Sequence, residues 1–212
     1  PMKVLLINGS PHEKGCTYTA LSLIAGELKA QGIETEILHV GGQPVGGCIG
    51  CGGCRSGNGC VFGGVVNEAI EKAKTADAFV FGSPVHYASA AGNMASFMDR
   101  LAYAGGKYLA YKPAAICASA RRAGTTTTLD QLVKYPEFFH MPLVSGSYWP
   151  MVHGSNPGQV LEDEEGCAVM RELGRNMAWL LKCIELGKAN GIPHPENPRR
   201  PVTSFFRSTL SL

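Results

Sequence analysis

The chain is poor in charge. Only 17% of its 212 residues are Asp, Glu, Lys or Arg, against roughly 25% in an average domain. The two signs nearly cancel, 19 Lys+Arg against 17 Asp+Glu, for a formal charge of +2. That balance excludes a nucleic-acid or membrane-surface binder held by bulk electrostatics. No stretch approaches the roughly 18 consecutive apolar residues that a membrane helix needs. Pro1-Met2-Lys3 leads straight into an apolar run, with no basic leader and no cleavage site. No secretory signal is expected, and a cytoplasmic location follows as the expectation. Internal repeats and an inter-domain linker are also missing, so one domain is expected. Collagen-like, coiled-coil and disordered classes are excluded by composition.

Glycine and cysteine are plentiful instead. There are 27 glycines, nearly twice the average usage of roughly 7%. Of the 8 cysteines, four fall between Cys48 and Cys60. In a reducing compartment they call for an explanation other than disulfides.

Hydrophobic periodicity switches repeatedly between two patterns. Val4-Leu5-Leu6-Ile7 and Ala78-Phe79-Val80-Phe81 are unbroken apolar runs, as in strands buried on both faces. Thr35 to Val40, Ala114 to Ala118 and Met141 to Val144 complete a set of five expected strands. Between them apolar residues recur at helical spacing: Leu21, Ile24 and Leu28, then Val66, Ile70 and Ala73, then Met94, Phe97 and Leu101. Gly32 is a stop signal for the first helix. Thr125 to Tyr135 reads as a helix, and Met170, Leu173, Met177, Leu180 and Ile184 give the best stripe of all. Strands alternating with helices predict an α/β fold: a five-stranded parallel sheet covered by helices on both faces in three layers. Residues 1–190 form the domain, with a cysteine-rich loop at 41–64. Residues 191–212, with Phe205 and Phe206, read as an extended arm.

The loop after the first strand, Gly9 to Thr17, is not a Walker A loop, because Cys16 and not Lys follows Gly15. It also lacks the dinucleotide glycine spacing. It is rich in hydroxyls and feeds a helix N-terminus, where free N–H groups and the dipole favour an anion. Ser10, Thr17, Thr19 and the His12 ring are candidate donors to a phosphate monoester. The alternative is a helix start capped by Thr17. Ligands in open α/β sheets bind at the carboxyl ends of the strands, at the switch point of strand order. With order 2-1-3-4-5 the loops Gly82 to Ser89 and Ser119 to Thr125 converge on the first loop. Pro84 and Tyr87 offer flat surface for a ring, Gly124 offers backbone to polar ring edges, and Arg121 or Arg122 offers charge to a reduced ring.

Cys48-x2-Cys51-x2-Cys54-x5-Cys60 wraps tightly about one point, and its glycines permit the dihedrals required. Such a compact thiolate set suits a [4Fe–4S] cube. Unclustered redox-active thiols and a zinc site remain as alternatives.

The run Lys3 to Pro11, the Ser83-Pro84-Val85 loop leading to Ser96-Phe97-Met98-Asp99-Arg100, and the Gly124-Thr125 loop resemble the flavodoxin-like NAD(P)H-dependent FMN reductases. The likeness is greatest to the branch that includes the iron–sulfur flavoproteins, and it spans about residues 3 to 190. The resemblance implies FMN, with its phosphate at Ser10, His12, Cys16 and Thr17. It implies the isoalloxazine ring against Pro84, Val85, His86 and Tyr87 and against Ser119 to Thr125, including Arg121, Arg122 and Gly124. It implies Cys48, Cys51, Cys54 and Cys60 as ligands of a [4Fe–4S] cluster. It implies NAD(P)H as hydride donor, a small-molecule electron acceptor, and a homodimer or tetramer. His86 as a proton donor and Arg121 as a charge stabiliser are the catalytic candidates. The same resemblance admits a carrier passing electrons between proteins. This sequence has Cys16 where relatives often have Asn, and His86 where they often have Tyr or Phe.

Elsewhere, Trp149 is expected at a subunit interface, the alternative being a place on the flavin side of a neighbouring subunit, shaping the substrate pocket. Cys117 and Cys183 are expected in the core, and Cys167 has no assigned role. His140 is expected in the core or at its rim. His153 is expected at the surface or at a cap.

Overall fold

The sheet begins with the apolar run after Met2. In the computed structural model, which describes residues 1–198 and 201, strand β1 spans Lys3–Asn8. Its residues Val4 to Asn8 are fully or almost fully buried, as a strand covered on both faces must be. Helix α1 (Cys16–Ala30) follows and buries Ala20, Leu21, Ile24 and Leu28. It stops before Gly32, whose φ of +76° breaks the helical path. Strand β2 (Glu34–His39) lies parallel to β1, with Lys3 opposite Glu34. After the cysteine loop come α2 (Val65–Thr75) and β3 (Ala78–His86). Strand β4 (Ser89–Ala90) folds back antiparallel on β3, with His86 opposite Ser89. Helix α3 (Gly92–Gly105), strand β5 (Ala114–Ala120) and helix α4 (Thr125–Phe138) continue the alternation. Strand β6 (Met151–His153), the short α5 (Pro157–Glu162) and the long α6 (Glu164–Ala189) complete the described elements.

The parallel path runs β2-β1-β3-β5-β6, with β4 attached to β3. This is the expected flavodoxin-like arrangement, and strand order reverses between β1 and β3. Two apolar clusters fill the sandwich. One gathers Leu5, Ile7, Phe79 and Phe81 with residues of α2, α3 and α4. The other gathers Val4, Leu6, Val80 and Cys117 with α1 and α6. Alternate residues of each strand thus serve opposite layers. Asn156 and Asp163 cap α5 and α6 by accepting from the N–H groups of Gln159 and Gly166.

The last strand lies in a different place from that expected. Met141 to Val144 contributes a single bridge, Leu143 to Ala114. The Val144 N–H donates to the Ala114 carbonyl, and the Ala114 N–H donates to the Pro142 carbonyl. The chain then leaves the sheet and returns at Pro150, whose carbonyl accepts from the Ala118 N–H. Pairing resumes as Met151 opposite Ala118 and His153 opposite Ala120. The fifth strand is therefore split along one edge of β5, with residues 145–150 looped out between its two contacts.

Cys183 is exposed, against the core position expected for it, because its face of α6 points away from α1. Cys117 is fully buried, as expected, and burial pushes its thiol up to about 12. Cys167 is buried and its Sγ donates to the Val160 carbonyl. His140 is exposed and stacks on Tyr111 with ring centroids 5.4 Å apart. No helix among the described residues is long and apolar enough to cross a membrane. Phe205 and Phe206, and with them most of the C-terminal arm, lie outside the described residues.

Candidate functional site

The first loop is shaped from beneath by a residue that the sequence reading passed over. Asn8 is fully buried at the end of β1. Its Nδ2 donates to the Glu13 carbonyl, and its Oδ1 accepts from the Ser10 N–H. The Ser10 hydroxyl in turn accepts from the His12 N–H at 3.1 Å. From the side, His39 Nε2 lies 2.7 Å from the Ser10 carbonyl. A Cβ at Gly41 would fall 2.2 Å from that same carbonyl oxygen, so only glycine lets the following loop cross here. An amide at the end of an otherwise apolar run was the available signal for Asn8.

Helix α1 opens on Gly15 with no side-chain cap and no acidic residue in its first turn. Thr17 is thus not the N-cap. It sits inside the first turn and is buried, and its Oγ1 lies 2.8 Å from Ser119 Oγ at the end of β5. Thr19 donates its hydroxyl to the Gly15 carbonyl. Burial raises the Cys16 thiol, whose Sγ lies 3.5 Å from the Gly154 carbonyl. An uncapped N-terminus free of acids can receive an anion, because its N–H groups and dipole stay unspent.

The second loop is a hairpin. Strand β3 runs on to His86 and turns through Tyr87 and Ala88, with φ of 50° and 58°. Left-handed φ at both central residues is the geometry of a tight two-residue turn, and each non-glycine residue is strained there. His86, Tyr87 and Ala88 are exposed. Gln131 of α4 holds the returning strand, its Oε1 accepting from Ser89 Oγ at 2.6 Å and from the Ala90 N–H at 2.9 Å.

The third loop presses against the hairpin. Gly124 has φ +95°, and a Cβ there would lie 2.6 Å from Ala88 Cα and 2.7 Å from Val85 Cγ1. Thr125 is buried and donates to Met151 Sδ. Arg121 and Arg122 are exposed and pair with no other described residue. The three loops therefore meet on one open edge of the sheet, with exposed rings and two unpaired cations facing outward. Pro84 and Val85 are half-buried at its margin.

The cysteine loop lies to one side, against α3. Cys48, Cys51, Cys54 and Cys60 all line one cavity of about 180 Å³ with Val61, Arg100 and Tyr103. Cys54 sits on a single tight helical turn, Gly53–Ser56. No group of three or more His, Cys, Asp or Glu side chains stands ready to hold a metal among the described residues. The residue types still suit a thiophilic group: four cysteines line one cavity in a loop with several glycines at positive φ. Polar anchors to which the sequence assigned no role hold this loop. Asn67 accepts from the Cys60 N–H and donates to the Cys60 carbonyl. Asn93 of α3 donates to the carbonyls of Gly41 and Gln43 and accepts from the Val45 N–H. Arg100, two turns further along α3, donates toward Cys60 Sγ at 3.3 Å and to the Gly46 and Gly63 carbonyls. Polar residues two turns apart at the edge of an apolar stripe were the signal for this pair.

Trp149 and His153 follow β5 along the same edge of the sheet. Trp149 is 59% exposed, packed edge-on against Tyr148 beside a groove of about 480 Å³. The His153 N–H donates to Asp163 Oδ2, which ties β6 to the start of α6.

The family model for NADPH-dependent FMN reductases matches residues 2–156. An iron–sulfur flavoprotein of Methanocaldococcus jannaschii is 30% identical over 193 residues, covering 87% of this chain and all of the relative. Among solved structures, RosB with a bound 8-demethyl-8-formylriboflavin-5′-phosphate superposes with a TM-score of 0.68 at 13% identity, covering 100% of this chain and 98% of that one. A flavodoxin from the domain Archaea gives 0.58 at 14% identity, covering 85% and 99%. These two likenesses establish the fold.

Proposed function

The chain belongs to the NADPH-dependent FMN reductase family, and from that premise we propose that it is an FMN-dependent oxidoreductase. It takes a hydride from NAD(P)H and passes electrons to a small-molecule acceptor. The reading rests on the meeting of three loops at the carboxyl edge of the sheet, the first and third joined by the Thr17–Ser119 hydrogen bond and the second packed on Gly124 of the third. Bound FMN supplies the acceptance and release of electrons, so no side-chain nucleophile is required. The uncapped first turn of α1, with Ser10, His12, Cys16 and Thr17 about it, holds the phosphate. Pro84, Val85, His86 and Tyr87 carry one side of the ring, and Ser119, Gly124 and Thr125 carry its polar edge. Arg121 and Arg122, which pair with no other described residue, offer positive charge where negative charge develops. In this reading the exposed His86 gives a proton to the acceptor. The exposed pair Tyr148 and Trp149 is the contact for a second copy of the chain.

A second reading is favoured by the four cysteines on one cavity and by the iron–sulfur flavoprotein relatives. Here Cys48, Cys51, Cys54 and Cys60 hold a [4Fe–4S] cluster, and the protein carries electrons between protein partners. The visible spectrum and iron content of protein purified without oxygen, followed by mixing with NADH or NADPH, test both. Rapid anaerobic bleaching of the flavin supports the enzyme. Iron in the preparation, with reduction by ferredoxin alone, supports the carrier. A colourless, iron-free protein that refuses FMN overturns both.

A further inference from the structure

Arg100 is a buried cation without an acid. It is 7% exposed, and no carboxylate pairs with it among the described residues. Burying a guanidinium is strongly unfavourable unless its donors and its charge are both answered. The donors are answered: Nε donates toward Cys60 Sγ at 3.3 Å, Nη1 to the Gly46 carbonyl at 3.3 Å, and Nη2 to the Gly63 carbonyl at 3.1 Å. The guanidinium also lies 5.7 Å from the centre of the Phe62 ring. These acceptors leave the charge unmatched by any carboxylate among the described residues. The same residue lines the cysteine cavity and the larger cavity, of about 590 Å³, that runs between Phe62 and the first loop at Pro11 and Glu13.

Gly46 and Gly63 bracket the four cysteines in the chain. A planar fork of donors in fixed geometry can hold both ends and a sulfur at once, whereas a lysine ammonium is a single point. Asn93, two turns earlier on the same helix, fastens residues 41–45 in the same way.

We propose that Arg100 is the positioning residue of the cysteine loop. It fastens both ends of the loop to α3 and turns the Cys60 sulfur into the cavity, and its charge answers the negative charge that the four thiolates bring when they hold a cluster. The last clause rests on the cluster reading above; the fastening does not. Hydrogen bonds and positive charge at ligand sulfurs set the potential of such clusters. Removing this cation therefore makes the group harder to reduce.

The test compares wild type, Arg100→Gln and Arg100→Lys. Each is reconstituted anaerobically with iron and sulfide, then read for iron per chain and midpoint potential. Amide hydrogen exchange over residues 46–63 is measured on the metal-free proteins. Arg100→Gln is expected to lose iron, to shift the midpoint to more negative values and to lose protection in the loop. Arg100→Lys is expected to keep a midpoint near that of wild type while losing protection, which separates charge from fastening. If Arg100→Gln does not fold, as judged by FMN uptake, the Lys variant carries the comparison, and wild-type protection in it overturns the fastening. Equal iron and an equal midpoint in Arg100→Gln overturn the charge assignment. If the wild-type chain takes up no iron, the cluster reading fails, and exchange alone decides: unchanged protection overturns the proposal and lost protection sustains it.

Discussion

Thr17 and Ser119 stand 102 positions apart in sequence, yet their hydroxyls meet at 2.8 Å within the protein. The bond ties the first turn of α1 to the end of β5. It thereby holds the first and third ligand-side loops at a set spacing across the switch point. A buried hydroxyl deprived of its partner carries a penalty of about 1–3 kcal/mol. Thr17→Val and Ser119→Ala should each destabilise the fold by that order in denaturant unfolding. The double variant should lose less than the sum of the two, as expected of contacting residues. FMN affinity, read by quenching of flavin fluorescence, should fall in all three. Strict additivity would show that the hydroxyls do not interact.

Gly124→Ala meets two obstacles at once, a φ of +95° and the backbone of Ala88. Strain of this kind amounts to about 1–3 kcal/mol, and relief requires the Tyr87–Ala88 hairpin to move. The substitution should lower the melting temperature and weaken FMN binding together. Binding equal to wild type would mean that the hairpin does not contribute to the ring site.

Ala88→Gly acts in the opposite sense. Ala88 sits at φ 58°, a region that disfavours side chains by roughly 1–2 kcal/mol. Part of that gain is offset by the greater freedom of glycine in the unfolded chain. A rise in melting temperature of a degree or more is expected, and a fall would refute the strain assigned to this turn.

Glu36 accepts from Lys3 at 2.6 Å and pairs with Lys72 at 2.7 Å. Those two bonds hold its carboxyl below the usual carboxylate range, against a smaller opposing effect of burial. A depressed carboxylate stabilises the fold above its unfolded pKa and loses that contribution as pH falls through the folded value. Glu36→Gln should therefore be less stable than wild type at neutral pH, by less than about 1 kcal/mol because the group is partly exposed and screened. The gap should close below the carboxylate range and narrow in high salt. Denaturation midpoints at several pH values check this, and a gap that widens on acidification would contradict it.

Burial pushes the Cys117 thiol up to about 12 and leaves no access to it. Cys183 is exposed. In native protein at mildly alkaline pH, a thiol-reactive label should reach Cys183 and spare Cys117 until denaturant is added. Peptide mapping by mass spectrometry reads the two sites separately.

The layered fold was legible in the sequence because buried parallel strands are apolar at every position. Val4 to Ile7 and Ala78 to Phe81 admit no other pattern once flanked by helical stripes. The last edge strand was not, because a strand with one neighbour needs little apolar length. Met141 to Val144 looks the part, but Pro142 lacks an N–H and the chain loops out after Val144. Met151 to His153 is too short to signal itself. The ligand-side loops were legible as positions, since strand order places their ends together. Their anchors were not: the partners of Asn93, Gln131 and Arg100 lie some forty or more positions away, and the local marks at these residues and at Asn8 do not say what each one holds.

The sequence by itself determined which segments become strands and helices, where loops gather, and that four thiols share one loop. Those follow from hydrophobic period, glycine and proline, all of which act over a few residues. Only the tertiary structure decided that Thr17 meets Ser119, that Gly124 seats the hairpin, and that a buried guanidinium from α3 holds the cysteine loop. A hydrogen bond between distant residues depends on packing to within a few tenths of an ångström. That packing is fixed by the whole core at once and not by neighbours in the chain.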